Sequence, residues 1–529
     1  MFLDVNELIR KEKEDGKKTI IFVYDELDYA LKFYAKCLEE NIKPIIGQKI
    51  TMGGRERVLL CKDSEGYRIL CRHSADSEHS FTEEETSHFV VTTLKDCNKD
   101  SNHIPYIFPM DYFTKGKLYR RQIDNLPDVP FAADYLTYLV GKGIRYRYGD
   151  PTPEVQLRIQ QELDAILSNH LEKYFLFFWE ITAMCRKRGI IYSTSCDESN
   201  SSMICYLLRI TDFDPLKHNL YFEFFIDSSR DIYPKINLFV SKNIIQHLRN
   251  VYGADCVAYG INKEEWGWEG GVSEYRLGRN LIIAKEPVCN YIPVYESPRG
   301  LAGWNDGYAD VPCFNILTED CWGKYSSVAH RTFHTITFTD RKTMSYVKKN
   351  RAKIYRGYWF SDKVKRRLRD FRLNSFADLV VVEAILNIYD DNLAAELIVD
   401  IINRQKKGYK PLFDGSDEIL GETCGKLLFK EQFIQIVQLV AGWDIEKAGL
   451  FLRNAARRKY DGLKKQMDEF MECVVKFGLS NDVAKELFAT LQDSAVWLVS
   501  KAWCLGQAKY VWQDSYLKAH FPKASISKE

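Results

Sequence analysis

Arg230-Asp-Ile-Tyr-Pro-Lys-Ile-Asn-Leu-Phe-Val240 is the stretch on which the reading of this chain turns. Ile236, Leu238 and Val240 recur at every second position, the spacing of a strand with one face in a core, which leaves Lys235, Asn237 and Phe239 on the other face. Two carboxylates spaced by two on such a strand point the same way and can share a pair of Mg²⁺ ions, a common device for nucleotide transfer. Here the same geometry carries a cation and an amide.

The 529 residues, 46% hydrophobic and 28% charged, describe a protein with real cores and roughly two to four domains. Lys plus Arg number 74 against 73 Asp plus Glu, so net charge alone calls for no polyanionic partner. The charged N-terminus lacks the apolar core of a signal peptide, and no apolar run approaches membrane-spanning length, so a cytoplasmic protein with no membrane partner is expected. The 14 cysteines form no Cys-x-x-Cys and are expected as reduced core residues. His330 and His334 have metal-motif spacing, but the β-favouring residues around them predict a strand, which would hold them too far apart to share an ion.

Apolar runs at Thr19 to Val23, Arg57 to Cys61 and Phe89 to Thr93, around a helical segment from Glu26 to Asn41, predict a small α/β unit. A long helix is expected from Pro153 to His170, mixed structure to about residue 340, and nearly continuous helix from Phe376, punctuated by Gly442, Gly462 and Gly478.

Three separated stretches resemble the alpha subunit of bacterial DNA polymerase III, in matching order and spacing. ALKFYAKCLEENIKPIIG (30–47) with VLLCKDSEGYRIL (58–70) is similar to its N-terminal polymerase and histidinol phosphatase domain. RYGDPTPEVQLRIQQEL (147–163), KYFLFFWEI (173–181) and ITDFDPLKHNLYFEFF (210–225) resemble its palm. ETCGKLLFKEQFIQIVQLVAGW (422–443) and DSYLKAHFP (514–522) resemble its fingers. The resemblance implies an α/β and α fold: a reduced N-terminal domain over 1–125, a palm-like mixed domain lacking most of the thumb over 126–340, and a basic segment with a helical fingers-like domain over 341–529.

It also implies that the sites are degenerate. The family's palm motif Pro-Asp-x-Asp matches Pro234-Lys235-Ile236-Asn237, and its third palm acid falls on Asn315, so no metal-ligating carboxylate is left at the three positions. The family's Gly-Arg-Gly-Ser nucleotide loop matches Ser195-Cys196-Asp197-Glu198, whose two acids would repel a triphosphate. In the N-terminal domain the metal-binding Asp-His matches Val23-Tyr24 and Gly-x-Glu matches Gly47-Gln48-Lys49. Arg453, Arg457, Arg458 and Lys501 keep basic positions of the fingers, while Leu452 and Trp503 replace an arginine and a histidine. The thumb is missing after VAYGI (257–261), and the family's C-terminal clamp-binding and oligonucleotide-binding regions find no counterpart.

Arg341 to Arg372 carries thirteen Lys or Arg against two Asp, with Tyr and Trp between them, a composition suited to phosphates and stacking or, equally, to a solvated helical face. The expected DNA contacts are Lys348, Lys349, Arg351, Lys353, Lys363, Lys365, Arg366 and Arg367, with the fingers cations. Asp212, Asp214 and Glu223 are candidates for substitute metal ligands, but ITDFDP reads as a strand end or turn in which Asp serves the backbone. The expectation is a non-catalytic, DNA-binding or replication- and repair-associated factor of a bacterial cytoplasm or nucleoid, without cofactor. The alternatives are an active polymerase with rearranged ligands and a protein-binding scaffold or decoy.

Overall fold

Four strands open the fold. The computed structural model describes residues 5–24, 27, 29–73, 81–97, 104, 123–194, 197–226, 234–241, 243–262, 276–297, 300–303, 313–314, 316–319, 322, 325–329, 333–354, 364, 367–388, 390–458 and 460–526. Strands β1 (Thr19–Tyr24), β2 (Lys43–Met52), β3 (Arg55–Cys61) and β4 (Phe89–Thr92) form one sheet in sequence order. β1 and β2 run parallel and the other pairs antiparallel. Helices α1 (Val5–Glu14), α2 (Ala30–Glu39) and α3 (Ser64–His73) accompany it, and α2 is shorter than the sequence pattern suggests. The β2–β3 turn needs Gly53 and Gly54, both at positive φ (55° and 72°), as tight hairpins between twisted strands do. β2 is the strand that sequence patterning misses, because Pro44 and Gly47 interrupt it.

The middle of the chain is built on α4 (Ala132–Arg147), α5 (Pro153–Ser168) and α6 (Glu172–Arg188). Thr152 caps α5 by accepting the Val155 N–H at 3.4 Å, with Pro153 in the first turn where its missing donor costs nothing. α6 is apolar around much of its circumference, burying Tyr174 through Phe178 and Ile181, and it forms the centre of the largest core. A three-stranded sheet ordered β12-β6-β5 joins β5 (Tyr192–Thr194), β6 (Leu238–Ser241) and β12 (Ile316–Glu319). A five-stranded sheet ordered β11-β8-β7-β10-β9 joins β7 (Val257–Asn262), β8 (Arg276–Ile283), β9 (Val294–Ser297), β10 (Gly300–Gly303) and β11 (Cys313–Phe314). β7 and β8, on either side of residues 263–275, pair directly as antiparallel neighbours.

The second half is helical. Helix α9 (Arg341–Ile354) follows α7 (Met203–Leu207) and α8 (Ile244–Tyr252) in chain order; then come α10 (Phe376–Leu386), α11 (Asp391–Lys407), α12 (Lys430–Ala441), α13 (Ile445–Ala456), α14 (Tyr460–Lys476), α15 (Asn481–Ser494) and α16 (Lys501–His520). Gly442 and Gly478 end helices at positive φ, but Gly462 lies inside α14, against the Asn454 amide, and punctuates nothing. Phe333–Thr335 is a 3₁₀ turn rather than the expected strand; His330 lies outside the described residues. No helix among the described residues is long and apolar enough to cross a membrane. The described cysteines are free thiols, most of them buried.

The opening stretch is also corrected. Ile236, Leu238 and Val240 are buried as the alternation requires, but Phe239 is buried too. β6 is the central strand, and its second face is covered by Tyr510 of α16, 4.9 Å from the Phe239 ring, with Trp322 beyond it. A strand clad on both faces cannot show clean alternation.

Candidate functional site around Pro234 to Asn237

Immediately before β6, residues 234–237 lie outside the strand ladder and are pinned by side chains. Ile236 N–H donates to the Tyr174 hydroxyl at 3.2 Å, and Asn237 N–H donates to the Asp197 carboxylate. Lys235 points into solvent and Asn237 is half-buried. Ile316 pairs with Leu238, so β12 enters beside this run, while Asn315 itself lies outside the described residues, as do Ser195 and Cys196.

Asp197 does not face outward. Its carboxylate is buried, accepts the Ser199 N–H at 2.7 Å as well as that of Asn237, and is pushed up to about 7 by burial. Ser199, Asn200, Ser201 and Ser202 behind it have no exposed surface, because the start of α16 lies against them and the Asn200 amide donates to the Ala502 carbonyl at 3.0 Å. Lys509, 1% exposed on α16, is paired with Asp212, which also lies 4.0 Å from Arg147. Asp214 accepts the Leu216 N–H at 3.1 Å, the turn role its sequence context suggests, and Glu223 sits in a separate 3₁₀ turn.

The residues present do not fit the divalent pair that the resemblance implies. Lys235 puts an exposed cation at a position that the resemblance assigns to an anionic ligand, and both Asp197 oxygens already accept backbone N–H groups. Among the described residues no group of three or more His, Cys, Asp and Glu side chains could hold a metal ion. In the first sheet Val23 pairs with Gly47 and Tyr24 with Gln48, so the register brings the two matched segments together, but with neither carboxylate nor imidazole between them. A Cβ on Gly47 would come within 2.6 Å of Leu60 Cδ2, so the position is closed by packing.

Glu198 reaches the start of α16. Ser500, the N-cap, donates from its hydroxyl to Glu198 and lies 3.3 Å from Glu431, whose buried carboxylate also accepts the Lys501 and Ala502 N–H groups at 2.8 and 3.4 Å. One hydroxyl proton cannot serve two carboxylates at once. Burial first, and then the Glu431 charge, push Glu198 up to about 7, while Lys430 pulls the other way. Because this folded-state value lies above the ordinary one, Glu198 adds stability below about pH 4.3 and that contribution is lost as pH rises through about 7. Glu198→Gln is therefore expected to gain on the parent in melting temperature between pH 5 and pH 8. Parallel melting curves across that range would show that the pair does not titrate there.

Several expected DNA contacts are corrected. Lys501 is buried at 8% exposure, pairs with Glu422 at 2.8 Å and stands over the Phe429 ring, so it has no free charge for a phosphate. Arg351 turns inward, donating to the Leu368, Arg369 and Phe371 carbonyls at 3.3, 2.8 and 2.8 Å and tying α9 to the end of the basic segment. Lys348, Lys349, Arg367, Arg453, Arg457 and Arg458 are exposed. The Lys353 side chain, Lys363, Lys365 and Arg366 lie outside the described residues. Glu431, Ser500 and Lys509 escaped the sequence reading; a Ser before a long helical run and a Glu inside the apolar run of α12 were the available signals.

Two family models match. One, described as the bacterial DNA polymerase III alpha NTPase domain, covers residues 134–265, and the other, described as the bacterial DNA polymerase III alpha subunit finger domain, covers 324–478. The DNA polymerase III subunit alpha of Bacillus subtilis (strain 168) is 23% identical over 484 residues, covering 75% of this chain and 43% of that protein. Its counterpart in Borreliella burgdorferi is 22% identical, covering 74% and 41%, and that of Neisseria meningitidis serogroup A is 22% identical, covering 75% and 42%. The chain thus spans less than half the length of these relatives.

Proposed function

We propose, from the premise that this chain belongs to the bacterial DNA polymerase III alpha family, that it is a non-catalytic member which binds DNA and serves replication or repair. The observation that carries this reading is the run Pro234 to Asn237, where Lys235 is exposed and Asn237 is tied to Asp197, at the two positions that the resemblance assigns to metal ligands. Two-metal transfer needs anions there. The first sheet is then a remnant of the polymerase and histidinol phosphatase domain (1–125), kept for packing, followed by palm-like (126–340) and basic fingers-like (341–529) parts. The exposed cations Lys348, Lys349, Arg367, Arg453, Arg457 and Arg458 supply phosphate contacts without reading sequence.

Primer extension with Mg²⁺ and Mn²⁺, with DNA binding measured on the same samples by fluorescence anisotropy, tests this. Expected is no extension together with micromolar or weaker, sequence-independent binding that falls with salt, at a log-log slope of about −0.9 per duplex phosphate contact. The Lys348→Glu, Lys349→Glu double variant is expected to weaken binding and flatten that slope while melting like the parent. Arg351→Ala is expected to lower the melting temperature instead, since its guanidinium holds three carbonyls. Absence of binding even at low salt would move the protein to the scaffold class.

A further inference from the structure

The outer face of α4 is occupied by rings and cations. Phe131, Tyr135, Tyr138, Lys142, Arg145 and Tyr146 follow one another at steps of three or four, apart from the final adjacent pair, and so share one side of the helix over about 22 Å. Packing fixes which side that is. Leu136, Leu139 and Val140 are buried, a Cβ on Gly143 would lie 2.4 Å from the Leu207 carbonyl oxygen, and Arg147 donates to the Tyr206 and Thr211 carbonyls at 3.2 Å each. The rings are therefore held in solvent: Phe131 is 82% exposed, Tyr138 53% and Tyr146 64%. Rings of this size left open along one face mark an interaction surface.

The charges on this face select the partner. The Lys142 ammonium lies 4.6 Å from the Tyr138 centroid and the Arg209 guanidinium 4.8 Å from that of Tyr146. Among the described residues Lys142, Arg145 and Arg209 enter no ion pair, and Asp134 is the only acid of α4. Tyr135 and Tyr138 lie nearly parallel at 6.5 Å, while Tyr135 is braced edge-on by Trp179 at 5.6 Å. Cations alternate with rings, and no large aliphatic side chain interrupts the row. An anionic chain with exposed flat faces matches that order, whereas a duplex hides its base faces.

We propose that the outer face of α4 is a stacking surface for single-stranded nucleic acid, with Tyr135, Tyr138 and Tyr146 receiving bases and Lys142, Arg145 and Arg209 contacting phosphates. It rests on the nucleic-acid reading above but uses a surface separate from the basic segment. The test uses the full chain, a fluorescein-labelled oligo-dT of about a dozen residues and a duplex of the same length. Tyr138→Ala, Tyr146→Ala is expected to lose at least about tenfold in affinity for oligo-dT and less than about twofold for the duplex. Tyr138→Phe, Tyr146→Phe should bind oligo-dT like the parent, because the π-face is kept. Both variants change exposed residues and should melt like the parent. Parental affinity for oligo-dT in the alanine variant overturns the stacking surface and leaves the DNA-binding reading standing; equal losses on both DNAs overturn it as well, since stacking would not be what the rings do. A parent protein that binds neither DNA at low salt sinks both readings. If the alanine variant lowers self-association in ultracentrifugation while oligo-dT binding is unchanged, the face docks protein and the proposal is wrong.

Discussion

A primed template incubated with the Lys235→Asp, Asn237→Asp, Asn315→Asp triple variant, all four deoxynucleotides and Mg²⁺ or Mn²⁺ is expected to come back unextended, as it does from the parent. Three anions at the positions that the resemblance assigns to metal ligands would supply ligands for a metal pair but not the rest of the site. Of the stretch that the resemblance matches to the nucleotide loop, Ser195 to Glu198, the Asp197 carboxylate is already engaged by the Asn237 and Ser199 N–H groups and Glu198 by the Ser500 hydroxyl, and Ser199 to Ser202, directly after it, are buried under α16. Phosphoryl transfer depends almost wholly on positioning and electrostatic stabilisation, so a site that cannot admit the nucleotide forfeits a rate factor of about 10⁶ or more, beyond the reach of a gel assay. Template-dependent incorporation by either protein, abolished by a point change at Asp197 or Asp212, would show that the acids have been rearranged into a working site.

Glu162→Ala should unfold the middle of the chain at markedly lower urea, with a loss of about 3–5 kcal/mol. Glu162 has no exposed surface, and its carboxylate accepts the Met203 and Ile204 N–H groups at 2.9 and 3.1 Å, the Ser202 hydroxyl at 2.9 Å and the Arg158 Nε at 2.6 Å. Arg158 in turn holds the Ser201 and Leu220 carbonyls at 2.8 and 3.3 Å. Truncation leaves a cation and three donors without their acceptor in a site that water reaches poorly. Burial raises the Glu162 carboxyl and Arg158 opposes it. Glu162→Gln keeps one acceptor oxygen and should lose less. A shift below about 1 kcal/mol for the alanine variant would mean that the segment from Ser199 to Leu207 is held by packing alone.

Much of this architecture is legible in local chemistry. Thr152-Pro153 opens α5 where capping rules put it, and Gly442 and Gly478 close helices. That positions 235 and 237 carry a cation and an amide is read directly from the sequence, as is the order of the three stretches that resemble the polymerase family. These depend on residue type and short spacing, which the chain states directly.

Partnership is different, because it depends on which distant surfaces meet. Lys501 reads as a free cation until Glu422 is found beside it, and Arg351 as a phosphate contact until three carbonyls are found within its reach. Asp197 and Glu198 read as repulsive acids, yet the folded chain turns Asp197 onto Asn237 and Glu198 onto Ser500, hundreds of residues away in the latter case. Phe239 looks solvent-facing until α16 closes over it. The row of rings on α4 is written in the sequence at helical spacing, but only the contact of Gly143 with Leu207 decides that it points outward. Local spacing determines which side chains share a face; what that face meets is set by long-range packing, where desolvation and hydrogen bonding decide whether a charge is spent inside the fold or left for a partner.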